Sequence, residues 1–330
     1  MFDALDPIDR RLLEEFQRDL PLVPSPYAAM AHRLGITQAE TLARLAKLRE
    51  AGAVARVGAV ARPNTLGAST LAALAVAPAH IARAAAVLTA EPGVNHAYLR
   101  EDAVNLWFVA TAPDRAALDE SLSRIGRALG QTPIDLPLER PYHIDLGFSL
   151  AGVSRKAPAR PFDPSALRAD DRGLAQALCD GLELVARPWQ ALARRLRRTE
   201  ADVIARARAL LDAGALSRLG VIVRHRRLGW LANAMVCLRP PARRLDRVGA
   251  LLAAAPGVTL CYRRRPDALR WNWPLFCMIH ARTREVAERT LADALRAADA
   301  VHAERKILFS TRCLTQRAAL LAAPATEIAA

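Results

Sequence analysis

Apolar positions recur along this chain with two spacings, and the alternation between them predicts its elements. Near the start, Ile8, Leu12, Leu13 and Phe16 share one face of a helix. Residues 27–34 form a second helix. A third starts after Thr37, a residue suited to cap it, keeps helical period to Ala51 and stops at Gly52. Three short helices in this order outline a helix-turn-helix, and residues 54–60 read as a short hairpin, its wing. Beyond them the pattern predicts a strand (70–76), a helix (81–91), two strands (94–100 and 105–111), a helix (115–129) and a strand (143–148). That order is the βαββαβ ferredoxin-like unit.

The pattern then repeats. Glu50-Ala51-Gly52-Ala53-Val54-Ala55-Arg56-Val57-Gly58 aligns with Asp212-Ala213-Gly214-Ala215-Leu216-Ser217-Arg218-Leu219-Gly220, in the register that superposes residues 20–34 on 182–196. After a two-residue slip, Pro92-Gly93-Val94 meets Pro256-Gly257-Val258, and Tyr98 meets Tyr262. The chain is therefore a tandem duplication of α+β class. Residues 1–62 are the first winged helix-turn-helix and 63–150 the first ferredoxin-like domain. Residues 151–165, with three prolines and no apolar period, are the linker; 166–224 and 225–330 repeat the two modules.

The middle hairpin of each ferredoxin-like unit is where chemistry is expected. If the first turns at residues 101–104, Arg100 pairs with Asn105, and Val94, His96, Tyr98 and Arg100 share a face with Trp107, Val109 and Thr111. Ala97, Leu99, Leu106, Phe108 and Ala110 form the opposite face, suited to packing under the two helices. The equivalent helix-free face of the second copy carries Leu260, Tyr262 and Arg264 beside Phe276, Met278 and His280. Each hairpin keeps one histidine, at different positions: His96 aligns with Leu260, and His280 with Thr111. Both would reach one ligand if the copies packed sheet to sheet. His32, His80, His143 and His302 lack such neighbours and are expected to be structural or surface residues.

Charge sharpens the picture once it is divided. Residues 1–150 hold 15 Lys+Arg against 17 Asp+Glu, net −2, whereas residues 151–330 hold 32 against 16, net +16. Only Lys47, Lys156 and Lys306 are lysines, and arginine is the better fork for carboxylate or phosphate. An excess confined to one half points to a polyanionic partner, either a nucleic acid or a multiply carboxylated small molecule. The helix-turn-helix argues weakly for the former. In the first copy Glu40, Arg44, Lys47, Arg49 and Glu50 make the presumptive recognition helix nearly neutral. The second is richer, with Arg194, Arg195, Arg197, Arg198, Arg206 and Arg208, but Glu200 and Asp202 stand where DNA would approach. DNA binding is not expected.

No run of about 18 uncharged apolar residues occurs, and residues 1–19 are charged throughout, so neither membrane span nor signal peptide is expected. Five cysteines (Cys179, Cys237, Cys261, Cys277, Cys313), without C-x-x-C spacing, fit a reducing cytoplasm. Phosphate-binding Gly loops, H-E-x-x-H and G-x-S-x-G are all missing, which removes the minimal parts of nucleotide, zinc-protease and serine-hydrolase sites.

Gly93-Val94-Asn95-His96-Ala97-Tyr98-Leu99-Arg100 with Asn105-Leu106-Trp107-Phe108-Val109-Ala110-Thr111 resembles the first half of the sirohaem decarboxylases. Val258-Thr259-Leu260-Cys261-Tyr262-Arg263-Arg264 with Leu275-Phe276-Cys277-Met278-Ile279-His280 resembles their companion half. So do residues 217–226 with Leu228-Gly229 and Ala232-Asn233-Ala234-Met235. Trp271-Asn272-Trp273-Pro274 departs from the Trp-Pro-Tyr-Asn expected there, and Leu99 stands where relatives often carry Glu. The family descends from Lrp/AsnC-type regulators. It resembles in particular the fused form that acts in d1-type haem biosynthesis, converting the C12 and C18 acetates of sirohaem to methyls.

The resemblance implies roles. His96 and His280 would deliver protons, histidine being suited to this near neutral pH. Arg100, Arg218, Arg224 and Arg264 would hold carboxylates, joined by Arg263, while Tyr98, Tyr262, Trp107 and Trp271 would orient or cover the macrocycle. His225 would contact the substrate, and either it or His280 would touch the iron. That iron belongs to the substrate, and no added cofactor is implied. The expected partners are sirohaem and a second copy of the chain in a homodimer. The other reading left open is a Lrp/AsnC-type regulator that binds DNA and a small carboxylated effector.

Overall fold

The structure, a computed structural model, describes residues 5–144, 147, 149–150 and 160–322. It groups the modules by kind rather than by copy. One compact unit comprises Met1–Gly67, Ser149–Gly229 and Ala318–Ala330; the other comprises Ala68–Phe148 and Trp230–Arg317.

The first unit joins both helical modules. Helices α1 (Pro7–Glu15), α2 (Pro26–Leu34) and α3 (Gln38–Glu50) are followed by strand β1 (Val54–Ala61). As expected, the Thr37 hydroxyl accepts the Glu40 N–H at the start of α3, and Gly52 takes a positive φ of 74° beyond its end. Later in the chain α6 (Asp171–Asp180), α7 (Pro188–Leu196), α8 (Glu200–Asp212) and β6 (Leu216–Val223) repeat the arrangement, with Thr199 as the cap. Residues 54–60 do not form the expected wing hairpin. They are one strand, and its antiparallel partner is β6 of the other copy. The short segment has too few residues to fold back on itself and still bury Val57 and Ala59, which are 1% and 0% exposed. Of the expected linker, residues 151–159 lie outside the described residues, while Pro164–Ala166 makes a 3-10 turn.

Close backbone approach explains one feature of this pair. Gly58 stands opposite Gly220, and a Cβ on either would collide with the backbone at the end of a helix of the other copy. At Gly58 it would lie 2.6 Å from the Leu178 carbonyl, and at Gly220 2.3 Å from the Phe16 carbonyl. The crossing chains hydrogen-bond here, Leu182 N–H to Val57 and Val221 N–H to Phe16, each at 2.7 Å.

The second unit contains β2 (Ala68–Leu74), α4 (Ile81–Ala90), β3 (Val94–Arg100), β4 (Leu106–Ala112), α5 (Arg115–Leu129) and β5 (Ile134–Ile144) from the first copy. The second copy supplies β7 (Ala232–Arg239), α9 (Leu245–Ala254), β8 (Val258–Arg264), β9 (Leu275–Ala281), α10 (Arg284–Ala297) and β10 (Glu304–Gln316). The closing strand of the first copy begins earlier than residues 143–148 predicted; of those, 145, 146 and 148 lie outside the described residues.

Its eight strands close into a barrel in the order β10-β3-β4-β2-β5-β8-β9-β7. The two sheets thus join edge to edge, where sheet-to-sheet packing was the condition for a shared ligand. The join depends on strand length. β5, with 11 residues, pairs first with β2 (Ile134 to Pro137) and then with β8 (Leu138 to Ile144). β10, with 13, pairs first with β7 (Glu304 to Phe309) and then with β3 (Ser310 to Gln316). Apolar side chains of alternate parity pack outward under α4 and α5 in one copy and α9 and α10 in the other. The remaining parity fills the barrel interior, with Trp107, Met235, Tyr262, Trp271, Phe276 and Leu308 among its residues.

Replacing Gly220 by Ala forces the α1 exit away from β6. We expect a loss of about 1–3 kcal/mol of stability, the usual effect of overpacking, measured by urea unfolding of the full chain.

Candidate active site

Both middle hairpins take the register read from alternation. Tyr98 pairs with Trp107, His96 with Val109, Tyr262 with Phe276 and Leu260 with Met278. One residue changes faces. A bulge between Val94 and His96 turns Val94 into the outer core, so it does not share the face of His96 as strict alternation implied. The second copy has the same irregularity between Val258 and Leu260.

The helix-free faces are not open. They line the closed barrel, and most of the expected substrate-binding aromatics are core. Trp107 is 1% exposed, donates its indole N–H to the Val104 carbonyl at 2.6 Å, and meets Trp271 edge-on with ring centroids 4.7 Å apart. Trp271 is 3% exposed and lies under the Lys306 ammonium, which pairs with Asp102 at 2.7 Å. Tyr262 stacks on Phe276. Burial pushes the Tyr262 hydroxyl and the Cys237 thiol up from their ordinary pKa values, so both stay neutral.

Arg100 and Arg264 are 6% and 7% exposed and occupy equivalent places at the two joins. Arg100 donates to the Leu308 carbonyl at 3.1 Å and Arg264 to the Leu136 carbonyl at 2.7 Å. The next backbone N–H repeats the symmetry, Glu101 to Phe309 at 3.0 Å and Arg265 to Pro137 at 2.9 Å. Each guanidinium also lies over the tyrosine two residues before it, Tyr98 or Tyr262. Burial pulls the Arg264 guanidinium down, opposed by Tyr262. These two arginines are thus engaged in joining the copies, in contrast to the open-face placement expected of them. Arg263 points the other way and pairs with Glu139 at 3.0 Å and Asp246 at 3.1 Å.

Arg218, Arg224 and His225 belong to the helical unit. Arg218 is 4% exposed, donates to the Gln17 carbonyl at 2.9 Å, and burial pushes its guanidinium down to about 9. Arg224 follows β6, its backbone N–H donating to Ala53, and leads into the 3-10 turn His225–Leu228.

His280 is the candidate whose surroundings are most defined. Partly exposed near the end of β9, it lies with Nδ1 2.8 Å from the Thr259 hydroxyl and Nε2 3.0 Å from the Asn233 amide nitrogen. Thr259 Oγ1 also donates to the Met278 carbonyl at 3.0 Å. Thr259 is the extra residue of the β8 bulge, and Asn233 stands directly across from His280 on β7. Neither was singled out from sequence. The signal was present, since Asn233 and Thr259 are polar residues each set between two apolar ones at the start of a strand, level with a histidine. The equivalent positions of the first copy hold Ser69, Asn95 and Thr111, whereas His96 is placed one step further along β3, between Val109 and Gln316. Among the described residues no cluster of three or more His, Cys, Asp or Glu is placed to hold a metal ion.

The family described as "AsnC-like ligand binding domain" matches residues 65–142 and 227–315, and "Siroheme decarboxylase NirDL-like HTH domain" matches residues 9–54. The "Siroheme decarboxylase NirDL subunit" of Paracoccus denitrificans is 55% identical over 97% of this chain and 98% of its own length. The chain belongs to the sirohaem decarboxylase family. The "Siroheme decarboxylase NirD subunit" of Stutzerimonas stutzeri, 47% identical, covers 46% of this chain with 99% of its own, the proportion a duplication produces. Among solved structures, "siroheme decarboxylase NirDL in co-complex with iron-uroporphyrin III analogue" matches with TM-score 0.66 and 25% identity, covering 94% of this chain and 93% of that one. The family's AsnC-like and helix-turn-helix modules thus account for the two kinds of unit.

Trp271→Ala tests the buried placement of the barrel aromatics. A truncated core tryptophan costs about 3–5 kcal/mol, so the urea midpoint should fall sharply even without ligand. A tryptophan that only covered substrate would leave the stability of the free protein within about 0.5 kcal/mol of wild type.

Proposed function

We propose that this chain is a carboxy-lyase that converts the C12 and C18 acetate groups of sirohaem to methyls, within d1-type haem or alternative haem biosynthesis. The observation that carries this reading is its 55% identity, end to end, with a sirohaem decarboxylase subunit. In each step the bond between the acetate methylene and its carboxylate breaks and carbon dioxide leaves. The electron pair passes into the macrocycle, and a proton delivered to the methylene completes the methyl. His280 and His96 are our assignments for that delivery, and the iron enters only as part of the substrate, with no added cofactor.

The helical modules support an enzyme over a DNA-binding regulator. Arg44 of α3 is held by Asp6, Asp9 and Glu40 at 3.1, 3.0 and 2.9 Å, and these partners raise its pKa. In α8 Arg206 pairs with Asp171 at 2.5 Å, and Arg198, just before that helix, pairs with Asp202 at 2.5 Å. Cations already neutralised within the protein release few counterions from a phosphate backbone. The designation of the relatives as subunits supports an oligomer, and we assign a homodimer. Among the described residues no helix is long and apolar enough to cross a membrane, and all five cysteines are free, which supports a cytoplasmic location.

Anaerobic incubation with sirohaem, followed by mass spectrometry of the extracted tetrapyrrole, tests the reaction. Wild-type protein should remove two molecules of carbon dioxide per sirohaem; His96→Ala and His280→Ala should each stop after one or remove none. Tightly bound but unchanged sirohaem, together with salt-sensitive binding to a DNA operator, would favour the regulator.

A further inference from the structure

The surroundings of His280 assign its tautomer. A hydroxyl has one proton, and that of Thr259 is directed to the Met278 carbonyl at 3.0 Å. Its oxygen, 2.8 Å from Nδ1 of His280, is therefore left to accept, so Nδ1 carries hydrogen. The amide nitrogen of Asn233 only donates, so Nε2, 3.0 Å away, presents a lone pair. The clamp is rigidly placed: Thr259 and Asn233 are 7% and 5% exposed, and both belong to strands flanking β9. Oδ1 of Asn233 is buried and has no hydrogen-bond partner among the described residues, so the amide is only half satisfied where it stands.

We propose that Thr259 and Asn233 are positioning residues that commit His280 to the neutral Nδ1–H tautomer and make Nε2 its working nitrogen. Thr259 fixes ring orientation and tautomer from behind. Asn233 occupies Nε2 in the free protein and yields it when substrate arrives; Nε2 of the partly exposed ring then takes a proton from water and passes it to the methylene. This inference rests on His280 acting in the reaction, and it specifies the atom through which it acts. The device is one-sided. At the equivalent positions the first copy has Ser69, Asn95 and Thr111, with no imidazole among them. The two acetates would therefore meet chemically different halves of one chain.

Nitrogen-15 NMR of histidine-labelled full-length protein at neutral pH reads the tautomer without substrate, with His280→Ala identifying the signal. Wild type should show the neutral Nδ1–H pattern. Thr259→Val should shift it towards Nε2–H, Thr259→Ser should retain it, and Asn233→Asp, which offers only acceptors, should place hydrogen on Nε2. In single-turnover decarboxylation Thr259→Val should lower the rate about 10–100-fold while sirohaem affinity is kept, with Thr259→Ser restoring it. An Nε2–H or imidazolium pattern in wild type would overturn the tautomer assignment, and an unchanged pattern in Thr259→Val would overturn the positioning role of Thr259. An Nδ1–H pattern in wild type with undiminished decarboxylation by His280→Ala would instead overturn the catalytic role of this histidine.

Discussion

The barrel depends on two strands that each serve both copies. β5 and β10 run past the end of their own sheet and continue as partners in the other, so neither ferredoxin-like unit has an edge to complete by itself. Where a strand changes partner, a carbonyl is left beyond the end of the ladder, and burying it without a donor is costly. Arg100 and Arg264, the last residues of β3 and β8, reach those carbonyls. Their cationic heads also lie over Tyr98 and Tyr262. Arginine suits the place because a planar fork can donate to a carbonyl while its face rests on an aromatic ring.

Duplication freed the halves to diverge at positions the fold does not constrain. The bulge early in β3 and β8 is kept in both copies, and it creates one extra residue at the mouth of each hairpin. In the second copy that residue is Thr259 and holds an imidazole; in the first it is Asn95, with His96 as its neighbour. The same backbone irregularity thus presents a histidine in two ways. Two related but distinct acetates on one macrocycle are the kind of target such divergence suits.

Not every arginine of the basic second half is available to a polyanionic partner. Several are already committed: Arg206 to Asp171 and Arg264 to a strand carbonyl in the interior, and Arg263 to Glu139 and Asp246 nearer the surface. Others, including Arg194, Arg195 and Arg197, remain on the surface. Net charge counts all of these alike, whereas only exposed and uncommitted cations contribute to attraction at a distance.

Elements, duplication and hairpin register were legible in the chain because each follows from neighbours within one segment. The helix cap at Thr37, and the pairing of Tyr98 with Trp107, rest on short-range periodicity and local turns. The resemblance carried by the hairpin motifs likewise led to the family. Three features were decided only by the tertiary structure. Residues 54–60 found a partner strand about 160 positions away instead of folding back, β5 and β10 changed sheets, and the faces that alternation left open became a closed interior. Alternation tells which side chains share a face but not what covers it, so exposed and buried aromatics look alike in sequence. Trp107, Tyr262 and Trp271 have the composition of a ligand surface and the position of a core. Asn233 and Thr259, though part of the quoted motifs, were given no role for the converse reason, since their meaning comes from His280 across the ladder and only the folded register brings the three together.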